Sequence, residues 1–288
     1  MRILTLFARH GAQDYPSALH DLDELFRRNL ADADRKLLII DNALNEDHAE
    51  VLDDRTTLIG SSNASWEFSA WDRGVAFTGA QIAGFDFVHL VSSAFLTLYT
   101  GYLDRIDARL LGLVQGRAAA LGHIDYYNEP IELHGRLSQS WLRTSFVFMP
   151  PPELQLLGSL VSVRDGRAIF SDDPDSPFLA DAPLSKEYRA NIVGWLTGSG
   201  TGQGVEWHSR FDLTDDTLPY FKAKALAIMN EHALSMRLRA QGCAMVDVTW
   251  LARQANHLAA RGQVLGTIPS WRAQISTRNG TMPMDGAA

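Results

Sequence analysis

Three short apolar runs in the first hundred residues each stop at small polar side chains. Residues 37–40 run into Asp41 and Asn42, residues 57–59 into Gly60, Ser61 and Ser62, and residues 87–91 into Ser92 and Ser93. Runs of this length predict buried parallel strands that end together at one sheet edge. In open α/β sheets that edge is where ligands bind. A carboxylate there, Asp41, would accept strong charge-assisted hydrogen bonds from hydroxyl or N–H groups. The plainer use of the same residue is to cap the turn that follows. Glu67 and Asp72 come after the second of these runs, where acids contact a ligand or simply favour the positive end of a helix. Much later, Glu231 shares roughly one helical face with Lys224. Other chemistries lack their signatures. The His, Asp and Glu residues form no metal-ligand spacing, no Gly-x-Ser-x-Gly elbow is present, and Cys243 follows a glycine with nothing to activate it. The 198–204 run GSGTGQG neither follows a strand nor opens an apolar helix, so it does not read as a dinucleotide fingerprint.

The elements that must position these residues are readable in outline. Residues 2–7 form a short buried strand, and the polar stretch 8–14 leaves it at the same sheet edge. Leu19, Leu22, Leu25, Phe26 and Leu30 recur at helical spacing behind Pro16, with acids early and Arg27-Arg28 late. Strand, helix and strand in that order predict a parallel sheet. Residues 45–55 read as a short helix or loop. Asn63 or Ser65 then caps a helix with Trp66, Ala70 and Val75 on its inner face. Residues 123–139, rich in Tyr, His, Asn and Glu, read as a loop or short strands, the kind of region that carries function. Residues 140–149 form one strand, stopped by three prolines and followed by a helix over 153–163. Residues 171–183 make an acidic exposed loop. Helices follow over 185–196 and over 221–241, the latter stopped by Gly242. A last strand covers 245–250, and the chain is disordered from about residue 277. His232 shares an arc with Phe221, Ala225, Ile228, Met229 and Met236, the pattern of a core histidine.

Composition narrows the function classes. A chain of 288 residues with 46% apolar content builds one large α/β domain. A net charge of −8 argues against nucleic-acid partners. A single cysteine excludes an intrachain disulfide. No signal-peptide pattern and no apolar window of membrane-spanning length is found, so a cytoplasmic protein is expected, with peripheral membrane contact allowed.

In order, IIDNALNED (39–47), LIGSSNASWEFSAWDRGV (58–75) and FDFVHLVSSAF (85–95) resemble the first motifs of family 2 glycosyltransferases. Downstream, NEHALSMRLRAQG (230–242) is similar to the family's Glu-Asp-x-Asp-Leu-Ser-x-Arg-Leu-Arg-x-x-Gly segment, with Leu234, Ser235, Arg237, Leu238, Arg239 and Gly242 in register. The resemblance implies a GT-A, Rossmann-like fold: a mostly parallel central sheet with helices on both faces. It implies residues 1–275 as one domain, with a nucleotide-sugar half over 1–115, an acceptor half over 116–275, and a flexible tail over 276–288.

It also implies an inverting transfer from a nucleoside-diphosphate sugar to a saccharide or glycolipid acceptor, in surface polysaccharide synthesis. Asp41 and Asn42 would bind the nucleotide, Glu67 and Asp72 the donor sugar, and Glu231 would be the general base. Asn230 replaces the family's glutamate. Ser92 and Ser93 stand where the family has the acidic pair that holds a divalent cation. Serines are poor ligands for such ions, so neither a metal nor another cofactor is expected. Arg143 and Lys222 would then balance the diphosphate, with Arg210 and Lys224 as further candidates. Trp207 and His208 would contact the acceptor. Trp71, Tyr126, Tyr127 and Trp141 offer faces for sugar rings or simply fill the core. Two other readings are a GT-A-like domain that binds nucleotide or glycan without catalysis, and an unrelated nucleotide-binding α/β enzyme.

Overall fold

The computed structural model describes residues 1–97, 100–199, 210–261 and 263–279. The first part alternates strands and helices: β1 (Arg2–Arg9), α1 (Ala18–Asn29), β2 (Asp34–Asp41), β3 (Ala49–Val51), β4 (Thr56–Gly60), α2 (Glu67–Thr78) and β5 (Phe87–Ser92). A 3-10 turn (Thr100–Arg105) and α3 (Ala108–Val114) lead into β6 (Ala119–Gly122). A hairpin follows, β7 (Ile124–Leu133) and β8 (Arg136–Leu142), then β9 (Phe146–Met149) and α4 (Pro151–Leu157). The chain closes with α5 (Lys186–Thr197), α6 (Leu218–Ala240), β10 (Ala244–Asp247), α7 (Val248–Arg261) and α8 (Trp271–Asn279). Among the described residues, no helix is long and apolar enough to cross a membrane.

Eight strands form one sheet in the order β10-β6-β9-β5-β1-β2-β4-β3, while β7 and β8 form a separate two-stranded sheet. The sheet is mostly parallel; only β9 and β3 run against their neighbours. The chain builds outward from β1 through β2 to β4 and then returns to lay β5 on β1's other side. The carboxyl ends of β1 and β5 therefore flank the point where strand order reverses, the usual ligand crevice of such sheets. Register aligns Arg9 with Asp41, Asp41 with Gly60, and Ala8 with Ser92. The three polar strand ends singled out by sequence thus meet at one edge.

Strand residues alternate between the two faces because successive side chains point oppositely. Ile3, Phe7, Ile39, Phe87 and Phe148 pack under α1, α3 and α7 on one face. Leu4, Leu6, Ile40, Leu90 and Met149 pack under α2, α4, α6 and α8 on the other. Helices therefore cover both faces, as expected. Gly74 lets α2 sit close, since a Cβ there would lie 2.6 Å from Ile40 Cδ1. A third apolar cluster joins the β7–β8 hairpin, α5 and the first half of α6.

Several local expectations need correction. The 45–55 stretch contains β3, which pairs antiparallel with β4. Neither Asn63 nor Ser65 caps α2; its N-cap is Trp66 with φ 52°, and Phe68, Ala70, Trp71 and Gly74 form the buried face. The single strand expected over 140–149 breaks at residues 143–145, between β8 and β9. The helix after the prolines ends at Leu157, not residue 163. The 171–183 loop has an exposed acidic tip, but Phe178 and Ala182 are buried. The last strand stops at Asp247, because α7 begins at once. The expected tail begins inside α8: buried Gln274 accepts from Asp247 N (2.8 Å) and donates to Met245 O (3.0 Å) and Pro269 O (3.0 Å). Asp247 also receives Arg278 at 2.9 Å.

Candidate functional site

A cleft of about 470 Å³ opens at the switch point. Its floor is the ends of β1 and β5, with Ala8, Arg9, His10, Ser92, Ser93 and Ala94. One wall carries Asn42, Asn63, Trp66 and Glu67; another carries Asp125, Trp141, Arg143, Thr144 and Ser145. Helix α6 contributes Tyr220, Lys224, Ala227, Ile228 and Glu231. Tyr220, Lys224 and Glu231, with Ala227 or Ile228 between the last two, recur at spacings of three and four, which is one face of a helix.

Glu231 sits within α6, inside the helix expected over 221–241, and it faces the cleft. Its register follows from a match between helix and strand spacing. Glu231, Ser235 and Arg239 stand four residues apart along α6, about 6 Å per step. Ser140 and Leu142 stand two apart along β8, about 6.6 Å, and Thr144 follows in the turn after it. Thr144 donates to Glu231 Oε1 from N (2.7 Å) and Oγ1 (3.0 Å). Leu142 N donates to Ser235 Oγ at 2.9 Å, and Arg239 donates to Ser140 O at 2.6 Å. Thr144 itself lies in the 143–145 break between β8 and β9. Both bonds to Glu231 fall on Oε1, so Oε2 has no hydrogen bond among the described residues. Burial pushes the Glu231 carboxyl above its ordinary range; Thr144 and the Arg143 charge offset only part of this, and Asp125 adds to the rise.

The rest of the 230–242 segment fastens α6 in place. Asn230 is buried, accepts from Ser162 N and Val163 N (both 2.7 Å), and donates to Val163 O (3.1 Å) and Leu226 O (3.0 Å). Arg237 donates to Ser159 O at 2.7 Å and to Ser162 Oγ at 2.9 Å. An amide at 230 saturates two donors and two acceptors, which a glutamate could not do. His232 lies in the aromatic cluster of Tyr127, Trp141, Tyr188 and Trp195, 2.6 Å from the Tyr188 hydroxyl. Burial lowers its pKa to about 3, so it is a neutral core histidine, as its position on the helix predicts.

Glu67 opens α2 and lines the cleft. Burial raises its pKa to about 7, with the Glu231 charge adding to the rise and Lys224 opposing it. Lys224 is itself lowered by burial and held up by Glu67. Its ammonium lies 5.2 Å from the Tyr220 ring centre and 6.0 Å from that of Trp66. Trp66 takes a left-handed φ that bulky residues avoid. Its carbonyl accepts from Asn42 Nδ2 (2.9 Å) and Ser69 Oγ (2.8 Å), which hold the turn.

Other expected site residues fall elsewhere. Asp41 is buried, and its oxygens already serve the protein. Oδ1 accepts from Gly11 N (2.7 Å) and Ala43 N (2.9 Å), and Oδ2 from Arg9 Nε (2.7 Å). Burial pushes its pKa up, but these three donors outweigh that and hold it below the ordinary range. Asp41 therefore anchors the β1 end rather than facing the cleft, and Asn42 is the one of the pair that lines it. Asp72, five residues beyond Glu67, points away and accepts from Ser159 Oγ (2.5 Å) and Leu160 N (2.6 Å). Lys222 pairs with exposed Asp172 at 2.8 Å, because position 222 is off the helix face that carries 220, 224 and 231. Arg143 does line the cleft, held by Asp125 at 2.9 Å. Trp207 and His208 lie outside the described residues.

Arg9, His10, Asp14, Tyr15, Asp125 and Thr144 line the cleft without having been singled out. For the first four, the polar run leaving β1 at the ligand edge was the available signal. No protein-family model, curated protein or solved structure matches the chain.

Proposed function

We propose that this cleft transfers a sugar from a nucleoside diphosphate to an acceptor hydroxyl with inversion, on a GT-A-type variant of the Rossmann-like fold, with Glu231 as general base. The observation that carries the reading is Glu231: a carboxylate raised by burial, oriented through one oxygen by Thr144, and facing a cleft at the sheet's switch point. In the step, the acceptor hydroxyl gives its proton to Glu231 as its oxygen bonds to the anomeric carbon. The bond from that carbon to the diphosphate oxygen breaks, and the diphosphate leaves with the electron pair. A raised pKa makes Glu231 a stronger base than an exposed glutamate. Asn42 and the Trp66–Tyr220 pair, with ring centres 5.9 Å apart, supply polar and aromatic surface for the nucleotide or sugar. The acceptor is a saccharide or glycolipid on this reading, which rests on the resemblance of the four sequence segments.

A second reading, a GT-A-like domain that binds nucleotide or glycan without transfer, draws on Ser92 and Ser93 in place of an acidic pair. A thermal-shift screen over nucleoside diphosphates and their sugars tests both, because a ligand bound to the native state raises its stability. Stabilisation by one nucleoside-diphosphate sugar, with release of its nucleoside diphosphate, is the expected result. Stabilisation without release would favour the second reading, and no stabilisation by any of them would remove both.

A further inference from the structure

We propose that Arg9, aimed by Asp41, is an anion-binding residue of the cleft and contacts the donor's diphosphate; this rests on the transfer reading above. Arg9 is the last residue of β1 and lies opposite Asp41 of β2 in the parallel register. Its Nε donates to Asp41 Oδ2 at 2.7 Å. Asp41 cannot swing, because Oδ1 is fixed by Gly11 N and Ala43 N, and its side chain is only 4% exposed. The same three donors keep Asp41 ionised at neutral pH. A guanidinium carries five N–H donors in a rigid fork. Only the Nε–H of Arg9 has an acceptor among the described residues, so Nη1 and Nη2 remain for a ligand, on a side chain 20% exposed to the cleft.

Two serines of the cleft lie next to this guanidinium. Ser93 N donates to Ala8 O at 2.9 Å, so the Ser92–Ser93 turn lies beside Arg9. Both serines line the cleft, and neither hydroxyl has a partner among the described residues. A planar fork fixed in advance and flanked by two hydroxyls fits phosphate oxygens and forfeits little side-chain freedom on binding.

The test is calorimetry with inorganic pyrophosphate in EDTA, on the parent protein and on Arg9→Lys. Lysine keeps the charge but offers no fork, so affinity should fall roughly ten- to hundredfold. In parallel, phenylglyoxal labelling of the parent, read by peptide mass spectrometry, should show pyrophosphate protecting Arg9. Equal pyrophosphate affinity of parent and variant would overturn the proposal and leave the transfer reading intact. A parent that binds nucleoside-diphosphate sugars but not pyrophosphate would do the same. A parent that binds neither would end both. If Arg9→Lys loses its cooperative thermal transition, the labelling decides: protection supports the assignment and its absence refutes it.

Discussion

Glu67→Gln should make the protein more stable, and more so as pH rises. Glu67 opens α2 in the cleft, with its pKa raised to about 7 by burial and by the Glu231 charge. In the unfolded chain the same side chain titrates near 4.5. Between these values the folded state holds a proton that the unfolded state has released, so stability falls as pH rises. Above about pH 7 the full cost of a charged Glu67 is present; below about pH 4 there is none. That gap corresponds to at most about 3 kcal/mol, and partial exposure of the side chain makes the realised value smaller. Glutamine keeps the shape and never ionises. Urea unfolding of parent and variant at pH 4 and pH 8 measures the effect as a difference. Comparing the two proteins also removes buried His232 and half-buried His123, lowered to about 3 and about 4, which weaken the fold as pH falls. The variant should match the parent at pH 4 and exceed it by about 1–3 kcal/mol at pH 8. A gain that is the same at both pH values, or a loss at pH 8, would refute the argument.

Three further outcomes follow from the same geometry. Asp41→Ala strands the Gly11 and Ala43 N–H groups and the Arg9 guanidinium, so unfolding free energy should fall by about 2–4 kcal/mol in chemical denaturation; a neutral result would mean the three bonds are not maintained in solution. Trp66→Gly relieves a left-handed backbone worth about 1–3 kcal/mol, so its stability should stay near parental while affinity for the stabilising nucleotide drops; severe destabilisation would contradict the strain argument. Donor binding by calorimetry should be nearly unchanged by EDTA, and a Mn²⁺ requirement would show that carboxylates other than the missing acidic pair recruit a metal.

The strand ends at Asp41, Gly60 and Ser92 were legible because buried parallel strands are near-continuous apolar runs, and the polar residue that ends each run marks the sheet edge. Which way a side chain turns at that edge was not legible. Asp41 turns inward because Arg9 of the neighbouring strand and the Gly11 turn claim it, a pairing set by register between segments about thirty residues apart. Lys222 was expected at the diphosphate ahead of Lys224, whereas the phase of α6 puts Lys224 in the cleft, a phase readable from Glu231 counted back by seven. The break at 143–145 escaped notice because Arg143 and Thr144 sit between two strand-like runs with no glycine or proline to mark the gap. Helix α7 was missed although Val248, Leu251, Ala255 and Leu258 carry its period; they were masked by the strand that runs directly into it.

Glu231 carries the proposed chemistry, and Glu231→Gln tests it most directly. Glutamine retains an oxygen for Thr144 N and Oγ1 but cannot take a proton. With the donor that stabilises the parent, sugar transfer should fall by roughly 10²- to 10⁴-fold, while calorimetry finds donor affinity close to parental. Transfer by Glu231→Gln at the parental rate would contradict the assignment of the base and with it the reading of this cleft.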